Sequence, residues 1–430
     1  MTDQERSRIV ELIQKEVVPA IGCTEPIAVA LCVAKAKEIL GSTPTKVEVL
    51  LSANMLKNAM GVGIPSTKQI GLPISVALGV IIGRSEYGLE VLKDSTPEAV
   101  ERANKYIEEA EVNITLKGTA CDKLYIEVHA SNARDEAIAV ISGNHTHFSR
   151  LVRNGEDLLS VESNQTSSED QDDLNLSLQK VYDFATTAPF DEIKFILEAA
   201  RLNKNAAEMA FKENYGHSIG RMLLMGANSS KNLLGDSVYT KALSYTSAAC
   251  DARMSGAMVP VMSNSGSGNQ GISVTLPVVV YAQEEGKSEE ELARALIISH
   301  LLAIYIKQSL GRLSALCGCV VAGTGASSGI TYLMGGGYKE ISYAVQNMIA
   351  NITGMLCDGA KPSCSLKVAT GVSTAILSAM MAMEGKFATS SEGIVDEDVD
   401  KTIRNLTLIG STGMLETDRV VLDIMTSKKK

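Results

Sequence analysis

Eight cysteines, at positions 23, 32, 121, 250, 317, 319, 357 and 364, are the side chains with most scope for chemistry. Cys317-Gly318-Cys319 and the pair Cys357 and Cys364 lie next to glycine or proline, where a backbone can approach a bulky ligand. No pair is spaced C-x2-C and no histidine follows at zinc-finger spacing, so a structural zinc site is poorly supported. An iron–sulfur cluster needs thiolates gathered in space, which spacing alone does not decide, and inert core thiols are the alternative. Cys32, Cys121 and Cys250 sit in ordinary contexts and read as buried structural thiols. Cys23 precedes a helix started by Pro26. A helix N-terminus favours a thiolate and lowers its pKa, so Cys23 reads equally as a reactive thiol or as a small residue in a tight turn.

A second chemical feature is Ser263-Asn264-Ser265-Gly266-Ser267-Gly268-Asn269-Gln270-Gly271. Such a loop offers several backbone N–H groups to an anion. It lacks the G-x-x-x-x-G-K-[ST] of a P-loop and follows no strand of a βαβ unit, which excludes the usual nucleotide-binding readings. Ser267-Gly268-Asn269 resembles the substrate loop of pyridoxal-phosphate β-eliminating enzymes, but those need an α/β fold that the surrounding helical pattern does not offer. His145 and His147 follow a strand; one can act as acid or base, or both are solvated loop histidines. Lys68 can sit near a substrate carboxylate or be a surface lysine. Arg253 and Lys367 are carboxylate partners that nothing in the sequence ranks, and Gly323–Gly329 lines a pocket or permits close helix packing.

These residues need elements to hold them. Ile9, Val10, Ile13 and Val17 recur at helical spacing behind Asp3 as cap, and Pro19 ends that helix. A second helix runs Ile27–Leu40, with the Cys23 loop between. Residues 46–52, 113–117, 124–130 and 137–142 read as strands, with helices over 75–82 and 97–110 between them. The polar, acidic stretch Glu162–Asp173 reads as a linker. After about residue 175 the pattern is helical. There Ser288–Glu291 forms a capping box that opens a long apolar helix, and glycine-rich breaks punctuate the rest. The expected class is α+β: an N-terminal mixed α/β domain followed by an all-α helical domain with glycine-rich loops. The expected division is residues 1–44, N-terminal helices packing on the helical domain; 45–165, a mixed α+β domain; and 175–430, an all-α catalytic domain.

Composition narrows the function. Apolar residues make up 45% and charged residues 21% of the 430, the balance of a globular chain of two or three domains. Aromatics are 4%, with no tryptophan, and the net charge is −10, which argues against carbohydrate platforms, aromatic cages and nucleic acid. Gly71–Gly83 and Leu296–Ile306 fall short of the ~18–20 residues that span a bilayer, and the polar N-terminus has no signal-peptide pattern. The expectation is a cytoplasmic protein with reduced thiols and no membrane or nucleic-acid partner. A homodimer is the base expectation for its assembly.

Three cysteine-bearing motifs occur together: Pro19-Ala20-Ile21-Gly22-Cys23-Thr24-Glu25-Pro26, Leu313-Ser314-Ala315-Leu316-Cys317-Gly318, and Gly354-Met355-Leu356-Cys357-Asp358-Gly359-Ala360-Lys361 followed by Ser363-Cys364. In letters, order and spacing the chain resembles the L-cysteine desulfidase family, which is related to the α-chain of iron–sulfur L-serine dehydratases. The resemblance covers nearly the whole chain. It implies a non-redox lyase that breaks L-cysteine into pyruvate, ammonia and sulfide at a [4Fe–4S] cluster with one open iron. Cys317, Cys357 and Cys364 match the family's cluster-binding cysteines, and Cys23 matches the thiol of its N-terminal motif, as ligand or as acid/base. Cys319 has no counterpart. Many iron–sulfur serine dehydratases carry a cysteine near the C-terminus; here the chain ends Met425-Thr426-Ser427 and three lysines, so no tail thiol is expected to protect the fourth iron.

Three protein thiolates leave one iron open, as a catalytic metal site requires. On this reading the amino acid's carboxylate sits in the glycine loop, on Asn264, Ser265, Gly266, Ser267, Asn269 or Gln270, and Cys23 as thiolate removes the α-proton. The alternatives are an iron–sulfur L-serine dehydratase, a cluster-binding sensor without catalysis, and a zinc-stabilised structural protein.

Overall fold

The computed structural model describes residues 1–118, 121–160, 174–227, 234–311 and 313–428. The linker expected at 162–173 lies outside the described residues. The chain is mixed: a sheet with helices in its N-terminal part and a helical body in its C-terminal part.

Helix α1 (Asp3–Glu16) is capped by Thr2, not Asp3, in a capping box with Glu5. It leads into a short strand, β1 (Pro19–Ile21), and then α2 (Thr24–Leu40). Next come β2 (Lys46–Leu51), α3 (Ala53–Ala59), α4 (Leu72–Ile81) and α5 (Pro97–Glu109). The strands β3 (Glu111–Leu116), β4 (Tyr125–Ser131), β5 (Glu136–Ser142), β6 (Phe148–Arg153) and β7 (Glu156–Ser160) complete a six-stranded sheet in the order β3-β2-β4-β5-β6-β7. Only β2 and β3 are parallel, with Lys46 opposite Glu111. Val47, Val49 and Leu51 of β2 and Ile126, Val128 and Ala130 of β4 alternate into the core, as period-2 patterning requires. There they meet α2, which is buried almost all round. The two N-terminal helices therefore part company. α1 packs on the helical body, whereas α2 fills the sheet's core and not the helical half where the sequence reading put both.

The helical body comprises α6 (Leu178–Thr187), α7 (Phe190–Ile193), α8 (Leu197–Lys212), α9 (Ile219–Ala227), α10 (Val238–Met254), strand β8 (Pro260–Met262), α11 (Gly268–Glu284), α12 (Glu289–Leu310), α13 (Gly318–Leu333), α14 (Tyr338–Ile352), α15 (Cys364–Met383), α16 (Val399–Leu408) and α17 (Leu415–Thr426). The Ser288–Glu291 capping box opens α12. α13 is the central helix, packed on α11, α12, α14 and α15. Gly323–Gly329 lies inside it, not in a loop. A Cβ at Gly325 would come within 2.3 Å of the Ser299 carbonyl oxygen, so glycine there lets α12 and α13 pack backbone to backbone. α15 is long and apolar enough to cross a membrane by length and composition, contrary to the sequence reading, and here it packs along α10, α13 and α14.

β1 pairs antiparallel with β8, Pro19 opposite Met262. Two further backbone bonds extend the pairing: Ser263 N donates to Val18 O at 2.9 Å and Ser265 N to Glu16 O at 2.9 Å. This seam joins the Cys23 segment to the serine–glycine turn, two stretches about 240 residues apart in sequence.

Candidate active site

Four helix N-termini meet at one cavity. Cys23 is the N-cap of α2, Ser267 of α11 and Cys317 of α13, and Cys364 is the first residue of α15. Each N-terminus presents unpaired N–H groups and partial positive charge, which suits an anion. Their convergence also explains the cysteine spacing: each thiol opens a different helix. Cys357 joins them through backbone pairing. Leu316 and Leu356 form an antiparallel bridge, Cys317 N donates to Met355 O at 2.9 Å, and Cys357 N donates to Ala315 O at 2.7 Å.

Cys23, Cys317, Cys319, Cys357 and Cys364 all line this cavity, of about 120 Å³. Sites for drug-sized ligands run to ~300–1,000 Å³, so this one suits a small molecule. From the loop, Ser265, Gly266, Ser267, Asn269 and Gln270 also line it. Ser265 and Gly266 take φ of 49° and 79°, and Thr24 Oγ1 of α2 donates to Gly266 O at 2.9 Å, fastening the turn to the Cys23 helix. His145 reaches the cavity from the loop after β5, whereas His147 is exposed.

Two expected site residues lie elsewhere. Lys68 is exposed and does not line the cavity. Asn264 is fully buried behind the turn, where its amide donates to His300 O at 3.1 Å and its Oδ1 accepts from Ser265 Oγ at 2.9 Å and Gln270 Nε2 at 2.8 Å. It fastens the turn and is spent on protein partners. His300 bonds in turn to Thr275 at 3.0 Å, and burial holds its imidazole neutral, down at about 3. A buried polar network of this kind keeps a loop in one conformation.

Burial governs the thiols. It pushes Cys23 up to about 12 against the pull of the facing Arg253 guanidinium, the reverse of the lowered value expected from the helix end alone. Cys364 is likewise raised, to about 11. Cys317 goes the other way, because the Cys319 thiol donates to it; Cys319 in turn holds its proton well above the usual range. Burial raises Cys357, opposed by Lys57.

Lysines back the Cys357 loop. Lys57 of α3, 1% exposed, donates from Nζ to Cys357 O at 3.4 Å and pairs with Asp418 of α17. Lys367 donates to Leu356 O at 2.6 Å and pairs with Asp358, which also meets Lys361 at 2.6 Å. Burial pushes the Asp358 carboxyl up, but hydrogen bonds from Lys361 and Lys367 outweigh it and hold it at about 2.

Sequence reasoning missed Glu25, Asn58, Thr24 and Lys57 and left Arg253 unranked, although Thr24 and Glu25 stand inside the Cys23 motif. Asn54, Lys57 and Asn58 share one face of α3, and a polar face buried on a short helix was the available signal.

The fold gathers these thiols, the serine–glycine turn and four helix ends around one small cavity. The family model described as serine dehydratase alpha chain matches residues 86–423. This chain is 68% identical over 428 residues to a UPF0597 protein of Bacteroides fragilis, covering 100% of both chains. It is 66% identical over 430 residues to one of Bacteroides thetaiotaomicron, covering 100% of this chain and 99% of the other. It is 48% identical over 430 residues to one of Oleidesulfovibrio alaskensis, again over 100% of both. The chain belongs to the serine dehydratase alpha-chain family, a family associated with lyase-type dehydratases. The matched span holds every cavity cysteine except Cys23.

Proposed function

We propose that this protein is a lyase that eliminates sulfide from L-cysteine, giving pyruvate and ammonia, with a [4Fe–4S] cluster held by Cys317, Cys357 and Cys364. The observation that carries this reading is the gathering of those thiols with the serine–glycine turn at four helix N-termini around one small cavity. The donor set fits the cluster. Thiolates are soft ligands suited to iron–sulfur chemistry, and helix ends with nearby lysines offset the negative charge of a thiolate-bound cluster. Among the described residues, no three His, Cys, Asp or Glu side chains converge as ligands of a single metal ion. In a cuboid cluster each thiolate binds a different iron, so convergence on one point is not required of it. When bound there, the cluster supplies a Lewis-acidic iron.

The chain's own residues do the rest. The turn at 265–270 and the α11 N-terminus receive the carboxylate. His145, buried and lining the cavity, takes the α-proton. Cys23, kept protonated by burial, is not the base expected from sequence. The Cβ–S bond breaks with its electron pair going to sulfur, and the released aminoacrylate takes up water to give pyruvate and ammonia.

The family's name favours a second reading, L-serine dehydration at the same site. Both are tested by pyruvate and sulfide release from L-cysteine by anaerobically reconstituted protein, with L-serine alongside. Faster release from cysteine supports the desulfidase, and faster release from serine supports the dehydratase. No release from either, with the cluster bound, leaves a cluster-binding sensor.

A further inference from the structure

We infer that the cavity clamps its substrate as a zwitterion, Arg253 taking the α-carboxylate and Glu25 the α-ammonium. This rests on the reading of the site as one for a free amino acid, and it names the two charges that select that class.

Arg253, near the C-terminus of α10, is 3% exposed and lines the cavity. Its Nη1 donates to Asn269 Oδ1 at 3.1 Å, while its Nε is buried with no hydrogen-bond partner. Among the described residues no carboxylate pairs with it. The guanidinium lies against Gly268, the first residue of α11: a Cβ there would come within 2.1 Å of Nε. Glycine at that position is what admits the guanidinium, so the chain holds an uncompensated cation beside the helix end that faces the cavity. A buried charge without a counter-ion is held at a cost in stability. An arriving carboxylate removes that cost and fits the planar fork of the guanidinium.

Glu25, the second residue of α2, is half-buried and lines the same cavity. Its contacts are neutral: Asn58 Nδ2 at 3.4 Å and Thr24 Oγ1 at 3.5 Å. Among the described residues no cation pairs with it. Cys23, one residue from Glu25 in the chain, lines the same cavity and feels the charge of both Arg253 and Glu25. Arg253 and Glu25, neither with an ionic partner among the described residues, share a cavity of about 120 Å³ that Lys307 also lines, and together they match a molecule that carries both charges on adjacent carbons. A cysteine within a peptide, acylated at its nitrogen and amidated at its carboxyl, carries neither.

The test is calorimetric binding to anaerobically reconstituted holoprotein, which needs no turnover. Three probes divide the two charges: L-alanine carries both and has no leaving group, 3-mercaptopropionate lacks the ammonium, and cysteamine lacks the carboxylate. Glu25→Gln is expected to weaken L-alanine and cysteamine by about 30-fold or more, leaving 3-mercaptopropionate within about twofold. Arg253→Gln is expected to weaken L-alanine and 3-mercaptopropionate to the same extent and to spare cysteamine. If either glutamine variant does not fold, Glu25→Ala and Arg253→Met, which also remove the charge, carry the same comparison. The clamp is overturned if a variant weakens all three probes alike, if neither variant changes L-alanine binding, or if the wild type binds none of the three. Sorted probes in a protein that makes no pyruvate would keep the clamp and remove the lyase reading. Unsorted probes in an active lyase would do the reverse.

Discussion

The two cores of this chain bury different chemistry. Under the sheet, the inward positions of β2, β4 and β5 are apolar throughout, and the polar groups Lys117, Tyr125, Glu127 and His129 stand on the opposite face. In the helical body, Asn203, Asn264, Gln270, His300 and Arg253 are all nearly or fully buried, and four of them share one network behind the turn. The cysteines divide the same way. Cys32 of α2 is sealed against the Ala139 carbonyl at 3.2 Å, and burial raises its thiol well beyond the ordinary range. Cys317 opens a helix, faces a second thiol and is lowered. An apolar core can be made by patterning alone. The helical core accepts buried polar groups, those behind the turn bonded to one another, because a cavity wall must hold one shape.

The sharpest way to break this contrast is to remove one thiol from each core. Cys317→Ala should lose cluster iron and depress pyruvate release by more than the ~10²-fold that altering an outer partner of a metal site costs. Cys32→Ala should keep both, losing only about 1–2 kcal/mol of stability in urea. Full iron content and activity in Cys317→Ala would end the ligand assignment. Lysines make the next comparison. Lys57→Met leaves Asp418 without its buried partner and should cost about 3–5 kcal/mol, whereas Lys117→Met at the sheet surface should cost less than about 1 kcal/mol. Equal losses in denaturation would show that the helical side gains nothing from burial of its pair. Asn264→Ala should follow, at about 1–3 kcal/mol, because it strips Ser265 and Gln270 of an acceptor and frees the turn. Its KM for the amino acid should rise with the loss of stability; an unchanged KM would separate the network from the cavity.

What could be read in advance was local. The Ser288–Glu291 box and the alternation of 137–142 are decided by residues within a few positions of each other, and both elements form. Strands β6 and β7, of which β7 forms the sheet's edge, were missed because much of their surface is exposed, so no clean alternation marks them. Glycines 323–329 read as a break because glycine is a poor helix former. Close packing against α12 overrides that preference, and only tertiary structure reveals it. The cavity was legible as letters, since Cys23, Cys317, Cys357, Cys364 and the serine–glycine turn all line it. Its electrostatics were not: a helix end predicts a lowered thiol at Cys23, and complete burial, which depends on the whole fold, reverses it. Lys57 and Asp418, 361 residues apart, carry no mutual mark in the sequence.

The smallest expected effect belongs to the sheet's outer face and has a definite sign with pH. A hydrogen bond from His129, aided by Lys117 and Tyr125, holds the Glu127 carboxyl at about 2. The same contact raises His129 above its ordinary 6.5. A depressed carboxylate stabilises the fold above its unfolded value near 4.5, and that stability is lost as pH falls toward 2. A raised imidazole stabilises below 6.5, and its contribution is lost as pH rises through the folded value. Both contributions are present together only between about 4.5 and 6.5. The group is partly exposed, so the total should be about 1 kcal/mol or less. The melting-point difference between wild type and Glu127→Gln should therefore peak near pH 5.5 and shrink at pH 3 and pH 8.5. A difference that stays flat across all three would mean that this outer network is as inert to charge as the apolar core behind it.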